Sequence, residues 1–434
     1  MSNSLKDINP MVWSQFQMWF TAVFTTAAGV TFVVGFFHHI GFSEFHIAIY
    51  GSSIGFAGFV CVIGTWIAQR RGRYKRTVMF FLTTASLFCL GGSLTGAFGG
   101  PGKMIPVIVL ALMALYQLSV YMASPVILPW LNIVIGNKEW PKYYSTRLIV
   151  CDLSVMVTSL LVGTYLGKAP VTNKFVLVFT IAGVCGLIGV LFLRPTPAPA
   201  IAEKFTDIKA YLKIIINAFR RREIRGIFVV AFIKHFAYGF ILPFQPLFLL
   251  EDLKLNYTQI SYLLCLGTVF SILFYKTWAH INRRIGYYPS LKWNMVLSVF
   301  EPFLWVFARA KNPVPVFLSY ALFGFSGFQG AVNAGYWPSL LGTFFIDSEE
   351  HQKPVNISMY YLVSGTANII APLISGIIVQ NSVSFSFQAA GRLFISLDSY
   401  RFIFIISGLL LIAAAVYAVV SKGLKTVNDY KEET

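Results

Sequence analysis

A few residues of this chain carry charge or titratable groups where charge is costly. Lys234 and His235 stand side by side in the apolar run GIFVVAFIKHFAYGF, 226–240. Asp152 interrupts RLIVCDLSVMVTSLLVGTYLG, 147–167, and Glu301 precedes Pro302 in another apolar stretch. An ionisable side chain inside a membrane helix faces a cavity or a counter-charge and marks a solute or proton path. Asp152, Glu301 and His235 are the groups able to alternate between protonated and paired states, which is what proton coupling needs. Lys234 needs a carboxylate or a polar cavity, and Asp152 is a candidate partner for it. The structural alternative for each is a satisfied ion pair or a hydrogen-bonded core residue. Arg147 to Asp152 is a spacing of i, i+5, which is poor for a local pair.

The elements that must position these groups follow from composition. The chain has 434 residues, 56% hydrophobic and 12% charged, with mean hydropathy +0.69. Soluble domains carry about 25% charged residues, so this chain is built for lipid. Apolar windows of bilayer-spanning length recur throughout. They predict an all-α integral membrane protein of twelve helices, near 16–38, 46–68, 77–98, 104–128, 145–167, 174–194, 225–249, 257–281, 291–309, 314–340, 354–380 and 400–421. The first run is too long for a signal-peptide core and reads as an uncleaved insertion signal. The five cysteines lie in apolar runs without a CxxC pair and read as small buried hydrophobes. His38, His39, Glu44 and His46 flank the first outer link and could suggest zinc, but polar residues are common at helix ends.

The net charge of +17 is not a nucleic-acid footprint, because the cations sit in short links between apolar runs. GTWIAQRRGRYKR, 64–76, holds Arg70, Arg71, Arg73, Lys75 and Arg76. The links 129–147 (Lys138, Lys142 and Arg147 against Glu139), 194–225 and 282–292 (Arg283, Arg284, Lys292) are also basic, and they alternate with poorly charged ones. The positive-inside rule places the basic links and both termini in the cytoplasm, in a plasma membrane of bacterial inner-membrane type. One link disagrees: 341–353 carries Asp347, Glu349 and Glu350 against Lys353, acids that could pair with neighbouring basic links as a salt-bridge gate. The stretch 195–224 opens with PTPAPA, then sets Phe205, Ile208, Leu212, Ile215 and Phe219 on one helical face, as in a surface-lying amphipathic helix.

The basic link has a second copy, YKTWAHINRRIGYYP, 275–289. Thr65-Trp66 matches Thr277-Trp278, Arg70-Arg71 matches Arg283-Arg284, and Gly72 matches Gly286. Each copy follows the second helix of a six-helix half, which is a parallel repeat. The expected domains are 1–194, a linker 195–224, and 225–434.

With Gln69-Arg70-Arg71-Gly72-Arg73-Tyr74-Lys75-Arg76, the first link resembles the signature of the major facilitator superfamily, Gly-x-x-x-Asp-Arg-x-Gly-Arg-x-Arg/Lys. Gln69 stands where the signature has Asp, and Thr65 where it has Gly. The resemblance implies two six-helix bundles, secondary transport by alternating access, and a gate drawn from Gln69, Arg70, Gly72, Arg73, Arg76, Arg283 and Arg284. It also implies that the first, fourth, seventh and tenth helices line a central cavity. By position these supply Gln17, Thr21 and Thr25; Tyr116, Gln117 and Tyr121; Lys234, Tyr238 and Gln245; and, from GFSGFQGAVNAGYWP, Gln329, Asn333, Tyr336 and Trp337. Amides that bond hydroxyls beside aromatic faces suit a sugar; interhelical packing is the alternative use of the same residues.

The expected function is transport of a small polar solute, a sugar or glycoside, by proton-coupled symport in a monomeric protein, with no cofactor and no nucleic-acid partner. Export of an amphipathic compound is the second reading. The fifth helix lacks the Gly-Pro motif of many drug antiporters, and SGTANIIAPLISG, 364–376, reads as a packing and hinge element. There is no GxxxxGK[ST] loop for direct nucleotide use. A membrane-embedded transferase would not need duplicated halves, and a flux-free sensor is the remaining class.

Overall fold

The computed structural model describes residues 10–98, 104–136, 139–168, 170–198, 213, 219, 222–325, 329–346, 353–381, 385–389 and 392–420. Two compact units share the chain: Met1–Ile40 with Phe56–Ile214, and Gly41–Gly55 with Ile215–Thr434. Among the described residues, ten helices are long and apolar enough to cross a membrane, by length and composition. Phe80, Leu161, Leu273 and Phe307 point largely outward, as lipid-facing residues do.

The N-terminal unit is built from α1 (Pro10–Ala27), α2 (Val30–His39), α3 (Glu44–Arg71), α4 (Tyr74–Phe98), α5 (Met104–Ile135), α6 (Trp140–Leu166) and α7 (Thr172–Leu193). The start of α3 is shared with the other unit. Within the unit α4 packs on α5 and α7, and α1 on α6 and α7. Ala68, Val78, Phe81, Trp130 and Leu193 form one core. Small residues allow close approach: a Cβ on Gly64 would meet the Met122 backbone oxygen at 2.4 Å. The turn from α3 to α4 needs Gly72, whose φ is +57°, a region an L side chain enters only at a cost.

The C-terminal unit runs α8 (Arg222–Ile241), one α turn (Gln245–Leu247), a π turn (Phe248–Asp252), α9 (Tyr257–Ile285), α10 (Tyr287–Ser298), α11 (Phe300–Phe307), α12 (Val314–Phe323), α13 (Gly330–Asn333), α14 (Tyr336–Ile346), α15 (Lys353–Gln380) and α16 (Ser399–Val420). α8 packs on α15 and α16, and α9 on α12 and α13. The first residues of α3 join this unit: a Cβ on Gly55 would meet the Ile369 nitrogen at 2.4 Å, and Ser52 Oγ donates to the Ile369 oxygen at 3.0 Å. Gly286, with φ +85°, turns α9 into α10 at the position matching Gly72.

Several expectations change. The runs expected at 291–309 and 314–340 are each interrupted. Pro302, lacking an N–H, cannot continue the ladder from α10 into α11. In the second run, Gly324 (φ +67°) and Gly330 (φ +86°) bracket the break. Side chains satisfy the freed backbone, as non-helical backbone at membrane depth requires. Asn333 Nδ2 donates to the Phe323 oxygen at 2.7 Å, Asn294 Nδ2 to the Val332 oxygen at 2.5 Å, and Trp278 Nε1 to the Ala331 oxygen at 2.7 Å. The Gly330 N–H donates to Ser271 Oγ at 2.7 Å. Arg147, read as a loop cation, is instead buried inside α6, which starts at Trp140. The all-α description needs one addition, an antiparallel hairpin of β1 (Phe385–Ala389) and β2 (Arg392–Leu397). The expected amphipathic helix of the linker lies outside the described residues save Lys213 and Phe219, and so do Asp347, Glu349 and Glu350.

Candidate functional site

Lys234, His235 and Tyr238 share α8, with Lys234 and Tyr238 one turn apart. The Lys234 side chain is buried, at 2% exposure. Its Nζ lies 3.3 Å from the Tyr336 ring centroid on α14 and 5.6 Å from the ring of Tyr238. It has no hydrogen-bond acceptor among the described residues. Glu301 of α11 is fully buried, accepts a 2.7 Å hydrogen bond from Tyr238 Oη, and stands within Coulombic range of the ammonium. Tyr320 of α12 also feels the Glu301 charge. His235 Nε2 lies 2.6 Å from Tyr360 Oη on α15, and that hydroxyl reaches Tyr336 Oη at 3.4 Å. Trp337 packs on Tyr360 and Tyr361, with ring centroids 5.4 and 6.2 Å away.

The C-terminal unit thus gathers six of the residues expected from sequence: Lys234, His235, Tyr238, Glu301, Tyr336 and Trp337. A buried cation, a buried carboxylate and a histidine share one aromatic surround, an arrangement that can bind a polar group and hold or release a proton. Gln329 and Asn333 lie on the broken stretch: Gln329 precedes α13, and Asn333 spends its amide nitrogen on the Phe323 oxygen. Gln245 is buried in the turn after α8. Tyr320, Tyr360 and Tyr361 were missed. The pair in SMYYLVSG, 358–365, puts hydroxyls into an apolar run and could have flagged α15.

The N-terminal unit holds a second polar centre. Arg147 Nη1 donates to the Ser14 oxygen at 2.7 Å and to Tyr143 Oη at 3.3 Å, and Nη2 donates to Gln17 Oε1 at 2.8 Å. Gln17 Nε2 then donates to Thr21 Oγ1 at 2.7 Å, and Thr25 Oγ1 to the Thr21 oxygen at 3.0 Å. Gln17 and Thr21 therefore belong to a network centred on Arg147. Asp152 is nearly buried on the same helix as Arg147. Tyr116 packs its ring 5.0 Å from Phe24, Gln117 is nearly buried, and the Tyr121 oxygen accepts from Cys61.

The two basic links differ in detail. Arg70 lies over the Trp66 ring at 5.2 Å, while Arg73, Arg76, Arg283 and Arg284 are exposed. Lys75 donates to the Arg194 and Thr196 oxygens at 2.6 and 2.8 Å, a cation at the end of α7. Gln69 and Asn282 each precede an Arg pair and both are buried; Asn282 accepts from Ser339 Oγ at 2.9 Å.

The sequence matches the profile of the Major Facilitator Superfamily over residues 16–340 and 227–432. No curated protein matches it. In fold it is similar to a mutant of the nucleoside transporter NupG, with TM-score 0.73 and 13% identity over 95% of this chain and 99% of that one. The xylose transporter XylE from E. coli, in a partially occluded inward-open conformation, gives 0.66 at 11% identity, covering 96% and 98%. The peptide transporter POT in complex with sulfate gives 0.64 at 14% identity, covering 95% and 93%.

Proposed function

Because the chain belongs to the major facilitator superfamily and is a multi-pass membrane transporter, we propose that it moves a small polar solute, a sugar or glycoside, by proton-coupled symport. Twelve spans in two six-helix halves, 1–194 and 225–434, rock about a central site while the links at 69–76 and 283–292 form and break cytoplasmic contacts. Both termini lie in the cytoplasm. One observation carries the reading: buried Lys234 and Glu301 and half-buried His235 gather among tyrosines in one unit. A lipid-embedded scaffold has no structural need for such a cluster, and placing a charge at the bilayer centre costs about 3 kcal/mol. Two proteins of similar fold, a nucleoside transporter and a xylose transporter, agree with a hydroxylated solute. Asp152 is a second candidate proton carrier.

Uptake of labelled sugars into proteoliposomes, with and without an inward proton gradient, tests the reading. Gradient-driven accumulation of a sugar, lost in His235→Ala or Glu301→Gln, is expected. Accumulation indifferent to the gradient would remove proton coupling. Efflux of amphipathic cations in place of sugar uptake would select the export reading.

A further inference from the structure

Among the described residues the chain buries three cations, Arg147, Lys234 and Arg401. Arg401 shows how this protein neutralises a structural one. Its guanidinium binds Asp252 at 2.8 Å, Asp398, and the Ala308 oxygen at 2.9 Å. Arg147 donates to three oxygens at 2.7 to 3.3 Å. Lys234 alone leaves its ammonium with no hydrogen-bond acceptor: aromatic faces lie against it, and Glu301 stands within Coulombic range without bonding it. A ring face holds a cation through its quadrupole but leaves the ammonium N–H groups without the charge-assisted hydrogen bond that an anion supplies.

We propose that the solute carries a single negative charge, a carboxylate on a hydroxylated carbon skeleton, that docks on Lys234, and that Glu301 takes up the co-transported proton as it does so. The inference rests on the symport reading above and gives it a substrate class, a sugar acid. With the site empty, ionised Glu301 balances Lys234. A bound carboxylate adds a second negative charge beside Glu301, and two like charges in a low dielectric favour protonation of one. A proton from the aqueous side binds a Glu301 oxygen while the solute carboxylate accepts from Lys234 Nζ. One anion and one proton then move together, with no net charge transferred.

The groups facing Glu301 permit this. Tyr238 and Lys234 come from α8 and Tyr320 from α12, while Tyr336 of α14 and Ser298 at the end of α10 face Tyr238. The stretch 402–416 of α16, which packs on this region, has no ionisable side chain.

The test is calorimetry on the full chain in nanodiscs, in two buffers of different ionisation heat. The probes are D-gluconate and D-glucuronate, with sorbitol and D-glucose as neutral counterparts. An acid is expected to bind at least tenfold more tightly than its counterpart and to take up about one proton. Its affinity should then fall about tenfold per unit rise in pH above the titration of Glu301. Lys234→Gln abolishes this binding and Lys234→Arg restores it, which separates charge from misfolding. Glu301→Gln binds the acid without proton uptake and with a flat pH profile. Equal binding of the neutral probes, absence of acid binding, or proton uptake that survives Glu301→Gln overturns the proposal. Proton-driven uptake of a neutral sugar alone sinks this inference and leaves the symporter. No gradient-driven uptake of sugar or acid sinks both.

Discussion

At the residue scale, the function of Lys234 follows from what touches it. The Tyr336 ring, 3.3 Å away, supplies a π face, and its hydroxyl is a separate feature in the His235–Tyr360 line. Tyr336→Leu removes the face and is expected to destabilise the protein by about 2 kcal/mol. Tyr336→Phe keeps the face and costs less than about 1 kcal/mol. Thermal unfolding of the two variants checks the order, and equal losses would show that the hydroxyl matters more than the face. Arg401 makes the opposite prediction. Its variant Arg401→Gln leaves Asp252 and Asp398 without their cation. Both are partly exposed, so the expected loss is about 2 kcal/mol of stability, with solute affinity unchanged.

At the element scale, the break between α12 and α14 is the feature periodicity could not foresee. Its freed carbonyls are met by Asn333, Asn294 and Trp278 from three separate elements. Trp278 also lies against Gly335, where a Cβ would come within 2.0 Å of the ring. Gly335→Ala therefore displaces the Trp278 ring and breaks its bond to the Ala331 oxygen. The expected readout is a red-shifted tryptophan emission and a lower unfolding temperature; an unchanged spectrum would show that the ring has room to shift. The paired turns behave alike. Ala at Gly72 or Gly286 must adopt a positive φ, at about 1 kcal/mol each. The same change at Gly92, where the glycine lies within helix α4, carries no such penalty.

At the scale of the whole molecule, the orientation proposed above rests on the alternation of basic and poorly charged links. Arg73 and Arg284 are exposed at the matching turns. Arg73→Cys and Arg284→Cys are expected to react with a membrane-impermeant maleimide only after the cytoplasmic face is opened. The native cysteines, none of them exposed, give a low background. Labelling from intact cells would invert the topology.

The sequence by itself determined the class of molecule. Hydropathy marks a membrane protein, because a helix of about twenty apolar residues crosses a bilayer core, though Pro302, Gly324 and Gly330 interrupt two of the expected runs. The repeat of Thr65-Trp66 in Thr277-Trp278 is visible in the sequence alone, and Lys234, His235 and Glu301 were legible because charge inside an apolar run is costly. Only the tertiary structure decided which of them meet. Lys234 and Glu301 are 67 positions apart in the numbering, and no periodicity relates helices that far apart. It also decided that Arg147 is core rather than loop, since Ser14 and Gln17 supply its acceptors from another helix. Tyr360 was invisible for the same reason: a tyrosine in an apolar run reads as packing until the fold brings His235 to its hydroxyl.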